Sequence, residues 1–350
     1  MPEPSVCVSI VTFNSGRYLR RCLEAVLNQK DVRLDVVVVD NASTDDTRRI
    51  LAQFHDRIRV VLNPVNTGFA DAQNQGIRSS TAEWVLTLNP DVLLEAGFIR
   101  GLADAGALDP SAGAVCGKLL SIGPGFEPLP QRLIDSTGIY FTPAARHFDR
   151  GWRQPDGARF DRAEYVFGAC AAAALYRRTM IEDVSIAGGF FDPEFFVYRE
   201  DADLAWRAQL LGWRCIYVPT ALGWHVRNVT PANRRHVSPA INMHSVKNRF
   251  LMRIKNATPG LYRRCWLPMT ARDLVVLAGC LFTEPRSLPA LWRVASCWSR
   301  AWEQRREIMR RRRVDDAALL RWFHFAPAAE PLVPETVAEA DGELLASDAA

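Results

Sequence analysis

Trp84-Val85-Leu86-Thr87-Leu88-Asn89-Pro90-Asp91 reads as a buried strand that stops at a lone carboxylate. Five apolar or β-branched residues suit a strand covered on both faces, and Pro90 ends it. The same construction stands upstream, where Val36-Val37-Val38-Val39 runs into Asp40-Asn41-Ala42-Ser43-Thr44-Asp45. Two buried parallel strands, each ending in an acid, make a crevice suited to a nucleotide, a diphosphate and a divalent metal.

Around these tips the first ninety residues alternate between two periodicities. Val6 to Thr12 is a β-branched apolar run, and Leu19, Cys22, Leu23, Val26 and Leu27 recur at helical spacing. The spacing predicts a helix from Asp46 to Phe54 started by a Ser43-x-x-Asp46 cap, a strand from Ile58 to Leu62 and a helix from Phe69 to Arg78. Strand and helix alternating at this spacing give an α/β fold with a mostly parallel central sheet. Ligands of such sheets bind beyond the carboxyl ends of the strands, where Thr12, Asp40, Asn63 and Asp91 lie.

From 121 to 159 Gly and Pro break the pattern, which predicts a long excursion with a hairpin near Gly138–Phe148 bordering a cleft. Regular structure is expected again at 165–169 and 171–176, then a helix over 201–211 and a strand over 214–218. The boundaries expected are a catalytic domain over 1–240, a basic amphipathic helical region over 241–326, and an acidic, Ala/Pro-rich disordered tail over 327–350.

The formal charge of +4 is too small to select a partner; its distribution says more. Cations crowd the 241–313 region, from Lys247 to the Arg310–Arg313 tetrad, among Trp266, Trp292, Trp298, Trp302 and Leu274–Phe282. Basic helices carrying Trp and Leu suit an anionic membrane surface; packing on the catalytic domain or in a homodimer is the other reading. Nucleic-acid binding is set aside because no recognition motif accompanies the charge. The eight cysteines form no C-x-x-C pair and read as buried thiols of a reducing compartment. No secretory leader and no uninterrupted apolar run of spanning length is read, so a cytoplasmic place on the inner membrane face is expected.

Several side chains have chemistry to offer. Asp40, followed by Asn41, can accept an imide N–H of uracil or thymine, or simply cap a helix. Asn66-Thr67-Gly68-Phe69 enters a helix with backbone N–H groups that can meet phosphate or base edges, and Asn74 lies one turn further in; an ordinary turn is the alternative. Asp91 suits Mg2+ or Mn2+, with Asn89 as a neutral neighbour. Glu200, Asp201 and Asp203 bunch at a helix N-terminus, with Asp203 and Arg207 at i,i+4; one carboxylate, Asp201 first, is a candidate general base. His225 is either structural or a contact to the diphosphate or the metal.

Together these stretches resemble family 2 glycosyltransferases of the GT-A (nucleotide-diphospho-sugar transferase) fold. The resemblance rests on Val8-Ser9-Ile10-Val11-Thr12-Phe13-Asn14, Asp40-Asn41-Ala42-Ser43-Thr44-Asp45, Asn66-Thr67-Gly68-Phe69-Ala70 with Asn74, Leu88-Asn89-Pro90-Asp91 and Glu200-Asp201-Ala202-Asp203. It spans roughly residues 5–228 and is nearest to the rhamnosyltransferase-like branch. It implies a nucleotide-sugar donor, a polyprenyl-diphosphate-linked or polysaccharide acceptor, a divalent metal and inversion at the anomeric carbon. By the same resemblance Thr12, Asn14 and Asp40 hold the nucleoside and Asp91 stands where the family's D-x-D ends. Asp201, beside Glu200, takes the place of the base, while Gly168, Ala169 and Asp203 border the acceptor. Asn89 departs from the Asp that many relatives carry. A UDP-hexose donor and a non-catalytic assembly partner are the competing readings. A dinucleotide oxidoreductase is disfavoured because no G-x-G-x-x-G follows the first strand.

Overall fold

The computed structural model describes residues 3–227 and 238–332. The chain opens with β1 (Ser5–Thr12), α1 (Gly16–Leu27), β2 (Arg33–Asp40), α2 (Thr47–Leu51), β3 (Arg59–Leu62), α3 (Phe69–Arg78) and β4 (Trp84–Leu88). β1 pairs in parallel with both β2 and β4, and β2 with β3. In α1, Leu19, Cys22, Leu23 and Val26 form the buried stripe that docks on this sheet.

The expected helix over 46–54 is shorter, with a 3-10 turn at Ala52–Phe54, and the expected cap is not made. The Ser43 hydroxyl instead accepts the Asn14 backbone N–H, and Asp45 accepts the N–H groups of Gly16 and Thr47. The corner is therefore spent joining β1 to β2.

β5 (Val92–Leu94), α4 (Phe98–Leu108) and the long β6 (Ala112–Ser121) follow. The excursion contains β7 (Ile134–Ser136) and the expected hairpin, β8 (Ile139–Phe141) with β9 (His147–Asp149). Next come β10 (Glu164–Val166), β11 (Ala173–Arg177), α5 (Arg178–Val184), α6 (Glu200–Leu210) and β12 (Arg214–His225). The principal sheet runs β10-β12-β6-β11-β4-β1-β2-β3, with β11 antiparallel to both β4 and β6. Its parallel half carries the acid-tipped strands, and its mixed half carries the excursion.

Among the described residues the chain goes on through α7 (Pro239–Asn256), α8 (Pro259–Phe282), α9 (Pro289–Ser296), α10 (Trp298–Arg311) and the short α11 (Asp316–Leu320). β13 (Glu330–Pro331) then adds to β10, so ordered chain continues past the point at 327 where disorder was expected; residues 333–350 lie outside the described residues. Leu251, Met252, Leu261, Ile308 and Trp322 belong to the same hydrophobic cluster as Val8, Leu86 and Trp206. Packing is thus continuous across the expected boundary at 240.

Asp203, Arg207 and Lys255 fasten this union. Lys255 Nζ lies 2.6 Å from Asp192 and 2.9 Å from Asp203, Arg207 Nε lies 3.2 Å from Asp203, and Asn256 donates to Asp203 at 2.7 Å. The i,i+4 pair foreseen on α6 exists, but fully buried. All eight cysteines are free and six are buried, as expected of structural thiols.

α8 is interrupted by Arg263, Arg264, Arg272 and Asp273, so the chain has no uninterrupted apolar run of spanning length, as expected; measured as a whole helix it is nevertheless long. Its 24 residues are long and apolar enough to cross a membrane by length and composition. Only Gly260, Leu261, Cys265, Met269 and Cys280 are buried along it. Trp266, Leu267, Leu274, Val275, Leu281 and Phe282 are exposed along it, as are Trp292 on α9 and the stacked pair Trp298 and Trp302 on α10. The Arg tetrad behaves otherwise. Arg313 pairs with Asp183, Arg311 with Glu307, and Arg312 with Asp316, so three of its members bind the protein itself.

Candidate functional site

A cleft of about 490 Å³ opens beyond the carboxyl end of β4, within the size usual for ligand sites. It brings together Asn89 and Asp91 from β4's tip, Glu200 and Asp201 from the start of α6, and His225 from the end of β12. The excursion adds Arg146, His147 and Asp149, and α7 adds Asn242 and Ser245.

Asp91 is 9% exposed, and its Oδ1 lies 3.5 Å from Nε2 of His225. The other ring nitrogen of His225 meets Asp135 at 2.7 Å, and Asp135 also accepts Arg227 Nε at 2.7 Å. Arg227 reaches on to Asp149 at 2.7 Å. Burial alone would strip the proton from His225; Asp135 and Asp91 outweigh it and raise the imidazole to about 10. Asp135 is held low by His225 and Arg227 despite its own burial.

Asp201 sits on the first turn of α6, where its carboxylate accepts the N–H groups of Ala202 at 2.7 Å and Ala171 at 3.4 Å. Burial, with Asp149 adding like charge, still pushes it up to about 6. That value suits a base working near neutral pH. Glu200 is raised well above the carboxylate range by burial and then by Asp201, and its Oε2 finds no partner among the described residues. The residue lines the cleft. His147 is kept neutral by burial and by Arg199, Arg146 and Arg249, and its Nδ1 lies 3.2 Å from the donating Arg199 guanidinium.

The remaining sequence-predicted residues fall outside this cleft. Asp40 is fully buried; Thr12 Oγ1 donates to it at 3.2 Å and Arg48 at 2.8 Å, with the half-exposed Arg48 standing between it and solvent. Asn14 adopts a left-handed φ of 51° and accepts the Thr44 N–H at 2.8 Å. Asn41 donates to the Gly68 carbonyl and accepts from Asn63, while Asn66 accepts the Gly68 N–H. Gly68, at φ 85°, has the Phe196 ring 2.5 Å from where a Cβ would stand, so only glycine fits. Asn74 spends both ends of its amide on the Phe191 backbone.

Three acceptor-side assignments need correction. Asp203 is fully buried with Lys255, Arg207 and Asn256 on its oxygens, which leaves it no face toward a ligand. Gly168 and Ala169 line a void of about 10 Å³ beneath α6, not the cleft wall; a Cβ on Gly168 would stand 2.2 Å from that of Ala205.

Asp135, Asp149, Arg227, Arg199 and His147 were not foreseen. The available signal was an acid placed shortly before a glycine turn in the excursion, at Asp135-Ser136-Thr137-Gly138 and Asp149-Arg150-Gly151.

Comparison with known proteins agrees with this geometry. Residues 7–185 match glycosyl transferase family 2. The chain is 29% identical over 233 residues to the N-acetylglucosaminyl-diphospho-decaprenol L-rhamnosyltransferase of Mycobacterium tuberculosis (strain CDC 1551 / Oshkosh), covering 61% of this chain and 73% of that one. It is 27% identical over 236 residues to the O-antigen chain rhamnosyltransferase WbaN of Salmonella anatum, covering 65% and 68%. Among solved structures, GalNAc-T7 with UDP, GalNAc and Mn2+ superposes with a TM-score of 0.58 at 13% identity. That match covers 72% of this chain and 48% of the other, about half its length, and concerns the fold. With acids at the ends of parallel strands and a family match over more than half its length, the chain is a GT-A glycosyltransferase and belongs to glycosyl transferase family 2.

Proposed function

We propose that the enzyme moves a sugar, L-rhamnose from dTDP-L-rhamnose, onto a polyprenyl-diphosphate-linked acceptor, with inversion at the anomeric carbon. The observation that carries this reading is the single cleft in which Asp91 and Asp201 face a common space. The rhamnosyltransferase relatives support the choice of sugar, and the first of them, by its name, acts on a lipid-linked diphosphate.

In this reading the nucleoside lies over the β1 and β2 tips, against a corner that Thr12, Asn14 and the buried Asp40 shape from beneath, and Arg48 must swing off Asp40 for that carboxylate to meet the base. Its diphosphate extends toward Asp91. Asp91 would supply one carboxylate and Asn89 an amide, while His225, held protonated between Asp135 and Asp91, would donate to the diphosphate; among the described residues no three His, Cys, Asp or Glu side chains form an all-protein metal cage. That incomplete donor set fits Mg2+ or Mn2+, which take a carboxylate or two and leave room for substrate phosphates. When bound, such a cation neutralises charge gathering on the leaving diphosphate.

Asp201 takes the proton of the acceptor hydroxyl as its oxygen bonds to the anomeric carbon on the face opposite the diphosphate. The bond from that carbon to the phosphate oxygen breaks, and its electron pair leaves with the nucleotide. One displacement inverts the configuration.

The exposed Trp, Leu and Phe side chains of α8, α9 and α10 support a place on a membrane surface, where Trp and Leu sit at the headgroup level. A lipid-linked acceptor would be met there.

Calorimetric titration of dTDP, UDP and GDP, each with and without Mn2+, tests the donor half. Metal-assisted binding of one nucleotide that weakens in Asp91→Asn is expected. Binding indifferent to both metal and Asp91 would overturn the placement.

A further inference from the structure

Three of the five residues before the acids of α6 are held in a conformation that their side chains disfavour. Phe196, Tyr198 and Arg199 have φ of 58°, 67° and 70°, and none is glycine. Each residue of this kind is strained unless its surroundings compensate. Arg199 is also the residue from which α6 springs, and its carbonyl accepts the Asp203 N–H at 2.8 Å. The path of this loop therefore sets where Glu200 and Asp201 point.

The compensation comes from α7, which lies beyond the residues matched to the family. Asn248, fully buried, directs its amide nitrogen at three carbonyls of the loop: Phe195 at 2.7 Å, Val197 at 3.0 Å and Tyr198 at 2.8 Å. Three acceptors around one atom fix the amide orientation, since the reverse would set oxygen against oxygen. Its neighbours add to the grip. Lys247 donates to the Glu194 carbonyl, Arg199 donates to the Ser245 carbonyl at 3.0 Å, and the Phe196 ring stacks on His244. From the opposite side Phe69 and Ala70, at the start of α3, donate to the Phe196 carbonyl.

We propose that Asn248 is a positioning residue for the transfer step, clamping the left-handed Phe195–Arg199 loop so that Asp201 is presented to the cleft. Without the clamp the loop is free to relax to negative φ, and Asp201 turns toward water. The inference rests on Asp201 as the base. It adds that the helix after residue 238 is a working part of the site as well as a packing layer.

The test compares Asn248→Ala with Arg305→Ala. Arg305 donates to the Ile254 carbonyl of the same helix, away from the loop. Transfer is followed with dTDP-L-rhamnose and a prenyl-diphosphate-linked N-acetylglucosamine, and nucleotide binding by calorimetry. Asn248→Ala is expected to lower kcat roughly 10- to 100-fold, the scale of a misplaced catalytic group, with nucleotide affinity kept. The acidic limb of its pH–rate profile should move down, as a carboxylate returned to water regains a lower pKa. Arg305→Ala should lower the unfolding temperature without moving that limb. Asn248→Ser keeps one donor and should recover part of kcat; it is read by the same criteria if the alanine variant folds poorly. Wild-type kcat and an unmoved acidic limb in the folded Asn248 variants would overturn the inference. So would losses in both variants that merely track unfolding temperature. Should Asp201→Asn turn over normally, the base assignment fails; an inactive Asp201→Asn beside unaltered Asn248 variants defeats the clamp alone.

Discussion

Nδ1 of His225 lies 2.7 Å from Oδ2 of Asp135, a buried contact that ties the last residue of β12 to a strand of the excursion ninety positions earlier. It leaves the other ring nitrogen directed at Asp91. Asp135→Ala would strand His225 and Arg227 without their shared carboxylate. Nucleotide affinity should fall roughly 10- to 100-fold, about the cost of losing one charge-assisted hydrogen bond from the His225 imidazolium to the diphosphate. Asp135→Asn keeps an acceptor and should lose less. Wild-type affinity in both variants would show that the network does not orient His225.

Activity should rise with pH through about 6, because Asp201 must be ionised to accept a proton. Stability runs the other way. The folded carboxyl holds its proton more tightly than the unfolded one, whose pKa is about 3.9. Across the window from there to about 6 the folded state binds more protons, so this group's contribution to stability declines as pH rises. Asp201→Asn should therefore be more stable than wild type at pH 7, by roughly 1–2 kcal/mol after allowing for partial exposure, and nearly equal to it at pH 3. Denaturant melts at the two pH values check this.

Lys255→Met removes the cation between Asp192 and Asp203 and leaves two buried carboxylates facing each other's charge. A loss of about 3–5 kcal/mol is expected, as for other broken buried pairs. Urea unfolding would measure it, and a loss under about 1 kcal/mol would mean that water or Arg207 and Asn256 suffice.

Trp266, Phe282 and Trp292 are exposed side chains of α8 and α9. Replacing all three by Ser should reduce flotation with anionic liposomes several-fold, by loss of buried apolar area. Neutralising Arg311, Arg312 and Arg313 should lower thermal stability, because these side chains pair with Asp183, Glu307 and Asp316. Equal flotation of the Trp/Phe variant would remove these side chains from the account.

The parallel half of the sheet was legible because its strands carry short β-branched apolar runs, closed in β2, β3 and β4 by Asp40, Asn63 and Asn89, a local signal. Asp91 and Asp201 were legible for the same reason: acids at a strand tip and a helix start advertise themselves. The excursion was legible only as a border, since Asp135 and Asp149 meet His225 and Arg227 through pairings about eighty to ninety positions apart, which no periodicity encodes. Asp203 misled because an acid in a first helical turn looks solvent-facing until α7 brings Lys255 and Asn256 onto it. Gly168 misled in a related way: its small size serves close packing beneath Ala205. The Arg tetrad shows that charge density does not tell a membrane patch from a set of internal ion pairs.

The most direct measurement is transfer by Asp201→Asn, with dTDP-L-rhamnose and a prenyl-diphosphate-linked acceptor, alongside calorimetric binding of dTDP and Mn2+ to the same protein. The account predicts transfer reduced by about 10³-fold or more, the upper range for loss of a base plus its charge, with nucleotide binding unchanged. Turnover near that of wild type would contradict Asp201 as the base.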